Sequence, residues 1–252
     1  MTEETRTHVV VLAAGKGSRL GALGPDTPKW LLPVGDETIA DRQLEGLAAA
    51  GDHVASVTVL TGHAAVAIDR YIDARGADAS TLFNEHYADW NNWYSVLLAL
   101  RHLPEDARVT FMNSDLFVEP EIVTGFMQAA ATTDAEALIA VDLERELTDE
   151  SMKVVQREDG TLDRIGKVPH LPTGDGEYIG ILMARGSVLQ RFRDGLAAFE
   201  GRPESVNEWY EGSVRDTAAA GADWLIWPVP SGRWVEIDDD GDLEKALALV
   251  AS

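Results

Sequence analysis

Three groups of residues have the types and spacing for phosphate chemistry. The first is Leu12–Leu20 (LAAGKGSRL), where glycines follow a short apolar run and alternate with Lys16 and Arg19. Glycines after a buried strand let backbone N–H groups face a phosphate, and the two cations add mobile positive charge. The segment lacks the spacing of a P-loop, and Leu20 stands where a dinucleotide fingerprint needs its last glycine. Taken alone, it also reads as an ordinary strand-to-loop turn. The second group centres on Lys29 in Pro28–Pro33 (PKWLLP). A lysine held between two prolines in an apolar loop can neutralise phosphate oxygens during an in-line displacement, and a solvated side chain is the plain alternative. Trp30 and Leu31 read as packing residues.

The third group pairs Asn113-Ser114-Asp115 with Glu236-Ile237-Asp238. Magnesium takes oxygen ligands, typically one or two carboxylates with phosphate oxygens and waters. Alternation along a strand puts Glu236 and Asp238 on one face. With 43 acidic residues in the chain, only their positions at strand ends separate Asp115, Glu236 and Asp238 from surface charge. Asp239 and Asp240 read as the N-cap and a first-turn acid of a last helix.

The elements that must position these groups alternate. Strands are predicted at His8–Ala14, Val54–Thr61, Ser80–Asn84, Val109–Met112 and Ala137–Val141. Helices are predicted between them at Ile39–Ala50, Ala64–Ala74, Trp93–Leu103 and Pro120–Ala131. Such an order gives an α/β fold, with a mostly parallel sheet flanked by helices and ligands at the carboxyl ends of the strands. Gly15–Arg19 and Asn113–Asp115 both fall at such ends. After residue 150 the pattern is mixed. It comprises a hairpin (Met152–Gln156, Leu162–Val168), a strand Tyr178–Ala184, helices Ser187–Phe199 and Ser205–Ala220, strands Trp224–Val229 and Arg233–Ile237, and a helix Asp242–Val250. The expectation is one domain over 1–252: a nucleotide-binding core at about 8–141, a smaller mixed α/β part at about 142–235, and a closing segment 236–252.

Composition narrows the field. The 252 residues are 45% hydrophobic and 25% charged, ordinary for a globular chain. A formal charge of −22 repels polyanions, so sequence-independent nucleic-acid binding is excluded. Cysteine is absent, which removes disulfides, thiolate metal sites and cysteine nucleophiles. No membrane span or signal-peptide pattern is present, so a soluble, cytoplasmic protein is expected, with self-association left open.

LAAGKGSRL, PKWLLPV, NSDLF and VEIDDDGDLEKAL, in this order over residues 8–250, resemble the sugar-phosphate and choline-phosphate nucleotidyltransferases. FNEHY (Phe83–Tyr87), NNWYS (Asn91–Ser95) and GEYIGI (Gly176–Ile181) are similar to the choline-phosphate cytidylyltransferase branch. The resemblance implies a Rossmann-like sheet whose mixed part forms an acceptor-binding insertion. It implies magnesium-dependent transfer of a nucleotide, CMP from CTP in this branch, to a small phosphorylated acceptor such as phosphocholine or aminoethylphosphonate, with release of pyrophosphate. Ala13, Ala14 and Gly15 would then line the base, and Lys16, Gly17, Ser18 and Arg19 would hold the triphosphate. Lys29, with Arg19 and Asp115, would serve catalysis, and Asp115, Asp238 and Glu236 would hold the metal. Asn84, Asn92 and Ser95 would read the base or position the acceptor; Lys167 or Lys153 would grip its phosphate, with Tyr178 and Gly180 at its border.

Three positions depart from the family pattern: Ser114 stands where a glycine is common, Trp30 where a smaller residue is usual, and Trp93 where an aliphatic one is. Trp90, Trp93, Tyr94, Trp209 and Tyr210, supplemented by Glu208 and Glu211, suit either a cation–π cage for a quaternary ammonium or helical core packing. Rival readings are a sugar- or cyclitol-phosphate nucleotidyltransferase using GTP, UTP or dTTP, a non-catalytic nucleotide-binding protein, and, third, an NAD-dependent oxidoreductase.

Overall fold

The computed structural model describes residues 5–15, 17, 20 and 27–251. In its first strand, β1 (Thr7–Ala13), the side chains of Val9, Val11 and Ala13 enter one core and those of Val10 and Leu12 another. Burial on both faces is what a continuous apolar run in a parallel sheet requires. There follow the short ribbon β2 (Pro33–Val34) and β3 (Glu37–Thr38), then α1 (Ile39–Ala50), β4 (Val54–Thr61), α2 (Ala65–Arg75), β5 (Ser80–Phe83) and α3 (Asn92–His102). The middle of the chain supplies β6 (Val109–Asn113), β7 (Leu116–Val118), α4 (Pro120–Thr132) and β8 (Ala137–Asp142). The remainder forms β9 (Lys153–Gln156), β10 (Leu162–Gly166), β11 (Gly176–Ala184), α5 (Gly186–Glu200), α6 (Tyr210–Ala219), β12 (Trp224–Pro228), β13 (Trp234–Glu236) and α7 (Asp240–Val250).

The main sheet runs β10-β9-β11-β6-β1-β4-β5, with β8 along the other edge of β11 and β12 beyond it. Strands β6, β1, β4 and β5 are mutually parallel, as are β8 and β12; β11 is antiparallel to both β6 and β8. Helices α1, α2, α4 and α7 cover one face, and α3, α5 and α6 the other. The architecture is thus the α/β, mostly parallel, Rossmann-like sheet flanked by helices expected from the alternation. Among the described residues no helix is long and apolar enough to cross a membrane.

Local chemistry explains the element boundaries. Helix α1 opens on a Thr38–Asp41 capping box and stops at Gly51, whose φ of 53° suits glycine. Its buried face carries Ile39, Ala40, Gln43, Gly46, Leu47 and Ala50 at helical spacing, with Gln43 the one polar member. Pro120 occupies the first turn of α4, where its missing N–H costs nothing. Asp239 caps α7 by accepting from the N–H groups of Gly241 and Asp242, as the sequence predicted.

Two expectations need correction. The helix predicted over Ser205–Ala220 is a 3-10 turn (Pro203–Asn207) followed by α6, which starts only at Tyr210. Contacts to the start of α3 hold the break open: Asn91 donates from its N–H to Val206 O and from Nδ2 to Asn207 O, and Tyr210 N–H donates to Asn92 Oδ1. Strand β7 was not anticipated at all. It pairs antiparallel with β13, setting Glu236 opposite Leu116.

Candidate active site

The carboxyl ends of β1 and β6 open onto a cleft of about 390 Å³. One wall is backbone: Ala14, Gly15 and Gly17, with nothing within 4 Å of the place a Gly15 side chain would occupy. Among the described residues, that leaves room beside the loop backbone, and backbone N–H groups in such a loop can receive a phosphate. Ala13 turns the other way, into the core beside Val9 and Val11, and does not reach the cleft. Lys16, Ser18 and Arg19 lie outside the described residues.

Lys29, in a 3-10 turn entered from Pro28, forms the floor. Its Nζ donates to Asp238 Oδ1 at 2.6 Å and to Asp115 Oδ2 at 3.2 Å. Burial pulls the Lys29 pKa down, but the charges of Asp115 and Asp238 more than offset it, so the ammonium is held above its ordinary value. Glu236 completes the group: single oxygens of Asp115, Glu236 and Asp238 lie within 4.8 Å of one another. Burial first, then repulsion from Asp115 and Asp238, pushes Glu236 up to about 8. Asp115 Oδ1 is buried without a hydrogen-bond partner. Crowded oxygens, an orphaned lone pair and a reluctant third carboxylate fit a hard divalent cation.

Backbone ladders bring these three segments together. The β7–β13 pair delivers Glu236, and the N–H of Ile237 donates to Asp115 O at 2.9 Å. Gln43, fully buried on α1, clamps the turn from behind. Its Nε2 donates to Asn113 O and Leu116 O, both at 2.9 Å, while its Oε1 accepts from Trp30 Nε1 at 2.9 Å. One amide therefore joins the loop carrying Lys29 to the turn carrying Asp115. Sequence reading passed over Gln43; its signal was a polar residue on the apolar face of a predicted helix.

The cleft is also lined by Lys167, Tyr178, Gly180, Trp209 and Glu211. Gly180 sits at a register shift in β11 with φ of 91°, and a Cβ there would lie 2.8 Å from Asn113 Nδ2. Both the backbone and the close approach demand glycine. Tyr178 OH and Tyr210 OH are 2.8 Å apart, and Tyr210 OH donates to Asn113 Oδ1 at 3.0 Å. Burial holds both phenols well above their ordinary pKa, as protonated donors. Asn113, the hub of this chain, was quoted in the sequence motif but given no role there.

Of the two acceptor-side lysines, only Lys167 reaches the cleft, with Nζ 5.7 Å from the Trp209 ring centroid. Lys153 is buried in β9 and donates to Thr148 O. A lysine spent on a carbonyl inside the fold is a structural residue, so the expectation of Lys153 at the acceptor is corrected. Asn84, Asn92 and Ser95 do line the cleft. Asn84 is buried, donating from Nδ2 to Ser95 Oγ and accepting from His86 N–H.

The profile of the MobA-like NTP transferase domain matches residues 9–203. The chain belongs to that family. The family's relatives include CMP-5'-(3-aminopropyl)phosphonate synthase of Streptomyces rubellomurinus, 31% identical over 251 residues, covering 95% of this chain and 38% of that protein. Another is choline-phosphate cytidylyltransferase of Streptococcus pneumoniae, 32% identical over 94 residues, covering 37% of this chain and 39% of the other. The matched stretches thus span about two fifths of these relatives' own lengths. In fold, the chain is similar to the structure of CTP:phosphocholine cytidylyltransferase from Streptococcus pneumoniae, with a TM-score of 0.78 at 20% identity over 97% of this chain and 99% of that one. The matched family segment reaches from β1 through α5.

Proposed function

We propose that the protein transfers CMP from CTP to a small phosphorylated or phosphonate acceptor of the phosphocholine or aminoethylphosphonate kind, releasing pyrophosphate. The observation that carries this reading is Lys29 bridging Asp115 and Asp238 in a cleft that Gly15 and Gly17 also line. Membership of an NTP transferase family supports the reaction class, and the names of the relatives support CTP.

In this reading the N–H groups of Gly15 and Gly17 receive triphosphate oxygens, with Lys16, Ser18 and Arg19 assigned there from the sequence. Asn84, Asn92 and Ser95 border the base. An oxygen of the acceptor attacks the α-phosphorus in line; the new P–O bond forms as the bond to the β-phosphate bridging oxygen breaks, and pyrophosphate departs with that electron pair. Because the attacking oxygen is already an anion, no general base is required, and positioning and charge neutralisation supply the rate. Lys29 stays protonated and stabilises charge on the α-phosphate, while Lys167 draws in the acceptor's anion. Asp115, Asp238 and Glu236 would hold magnesium, which when bound neutralises phosphate charge that carboxylates alone would repel.

The test is pyrophosphate release, with magnesium, over CTP, UTP, GTP, ATP and dTTP against phosphocholine, aminoethylphosphonate and sugar and cyclitol phosphates. Release with CTP and a choline- or aminoalkyl-type acceptor is expected. Release only with another nucleotide and a polyol phosphate overturns the substrate assignment, and silence across the grid overturns the reaction.

A further inference from the structure

Glu211 is the second residue of α6 and lies in the cleft wall, 6% exposed. Its Oε2 has no hydrogen-bond partner. A buried carboxylate oxygen left unpaired is costly, and an N–H donor arriving with a ligand would relieve that cost. Asp115 and Lys167 are both close enough for their charges to act on Glu211. Glu211 and Lys167, the lysine assigned above to the acceptor's anion, thus line the same cleft.

The aromatic residues of this region pack mainly against one another. Trp90 stacks with His86 at 4.3 Å and with Trp93 at 5.3 Å, and meets the edge of Tyr94 at 4.6 Å. Trp93 is buried and packs edge-on against Phe199. The ring of Trp209 faces Lys167, and the hydroxyls of Tyr178 and Tyr210 bind each other. Tyr87, the remaining aromatic among the described residues of the cleft, is one ring and not a cage. A quaternary ammonium has no N–H to give Oε2, so it would leave that buried oxygen unpaired.

Resting on the transfer reading above, we propose that the acceptor carries an N–H-bearing ammonium rather than a quaternary one, and that Glu211 is the residue that receives it. The acceptor class is thus an ω-aminoalkyl phosphate or phosphonate.

The test measures kcat and KM for two matched pairs: phosphoethanolamine against phosphocholine, and aminoethylphosphonate against propylphosphonate, its uncharged isostere. The amine should lead in each pair by at least about tenfold in kcat/KM, mainly through KM, the size of one hydrogen bond to a charged group. In Glu211→Gln both ratios should shrink to about threefold or less. Phosphocholine used as well as phosphoethanolamine, or ratios unmoved in Glu211→Gln, would overturn the proposal while leaving CMP transfer standing. Silence with every acceptor overturns both readings. The native protein's acceptor series decides the matter even where the variant fails to fold.

Discussion

Two regions of the cleft handle buried charge in opposite ways. Around Lys29, the ammonium contacts two carboxylates within 3.2 Å, and its proton is held more tightly than usual. At Glu211 the carboxylate is also buried but one oxygen is unpaired, and burial pushes its pKa up to about 7. In the proposed reading, the first is preorganised for the charge of the nucleotide, and the second is completed by the acceptor. That reading would separate catalytic power from selectivity within one cavity.

The comparison can be broken most forcefully at the paired region. Lys29→Ala should lower turnover by at least about 10²–10³-fold, roughly 3–4 kcal/mol of transition-state stabilisation by analogy with losing one preorganised donor. Near-normal pyrophosphate release from a folded Lys29→Ala protein would dismiss the assignment. Gln43→Leu comes next. It orphans Trp30 Nε1 and the carbonyls of Asn113 and Leu116, and should cost about 2–3 kcal/mol in denaturant melts. Turnover should fall by about tenfold as the Lys29 and Asp115 loops lose their common anchor. Loss of stability without loss of kcat would mean that the amide holds the core and not the site.

At the unpaired region the expected effect on the free protein has the opposite sign. The folded state binds the Glu211 proton more tightly than the unfolded chain does, about 7 against an ordinary 4.5. The resulting penalty is absent below about pH 4.5, grows across the interval, and is complete above pH 7. Glu211→Gln should therefore be more stable than the native protein by on the order of 1–3 kcal/mol at pH 8, with the gain gone by pH 4.5. Parallel urea titrations at the two pH values would show it, and an equal difference at both would assign the effect to packing. The smallest change is Tyr210→Phe, which removes the hydroxyl joining Tyr178 to Asn113 and should cost about 1 kcal/mol of stability. A neutral result would mean that water replaces the hydroxyl.

How much could be read in advance follows the same divide. Lys29, Asp115 and Asp238 stood out because strand ends and short motifs mark them, and β1, β4 and α1 announced themselves by apolar runs and helical spacing. Their meeting was not legible, because it depends on the pairing of β13 with β7, a three-residue strand too short for any periodic signal. Glu211 and Trp209 were visible only as members of an aromatic-rich stretch. The break before α6 that presents them comes from hydrogen bonds to Asn91 and Asn92, more than a hundred residues earlier in the chain. Lys153 and Lys167 look alike in sequence, and only the fold of the hairpin turns one inward and the other into the cleft.

The β7–β13 ribbon has a consequence for the timing of activity. Leu116 cannot pair with Glu236, nor Asp115 face Asp238, until the ribosome has released a stretch of chain lying far downstream of β6. A growing polypeptide can therefore complete β1, β4 and β6 and their helices while its reactive charges are still unassembled. A chain interrupted before β13 would lack Glu236 and Asp238, leaving Lys29 and Asp115 without the carboxylates that complete their cluster.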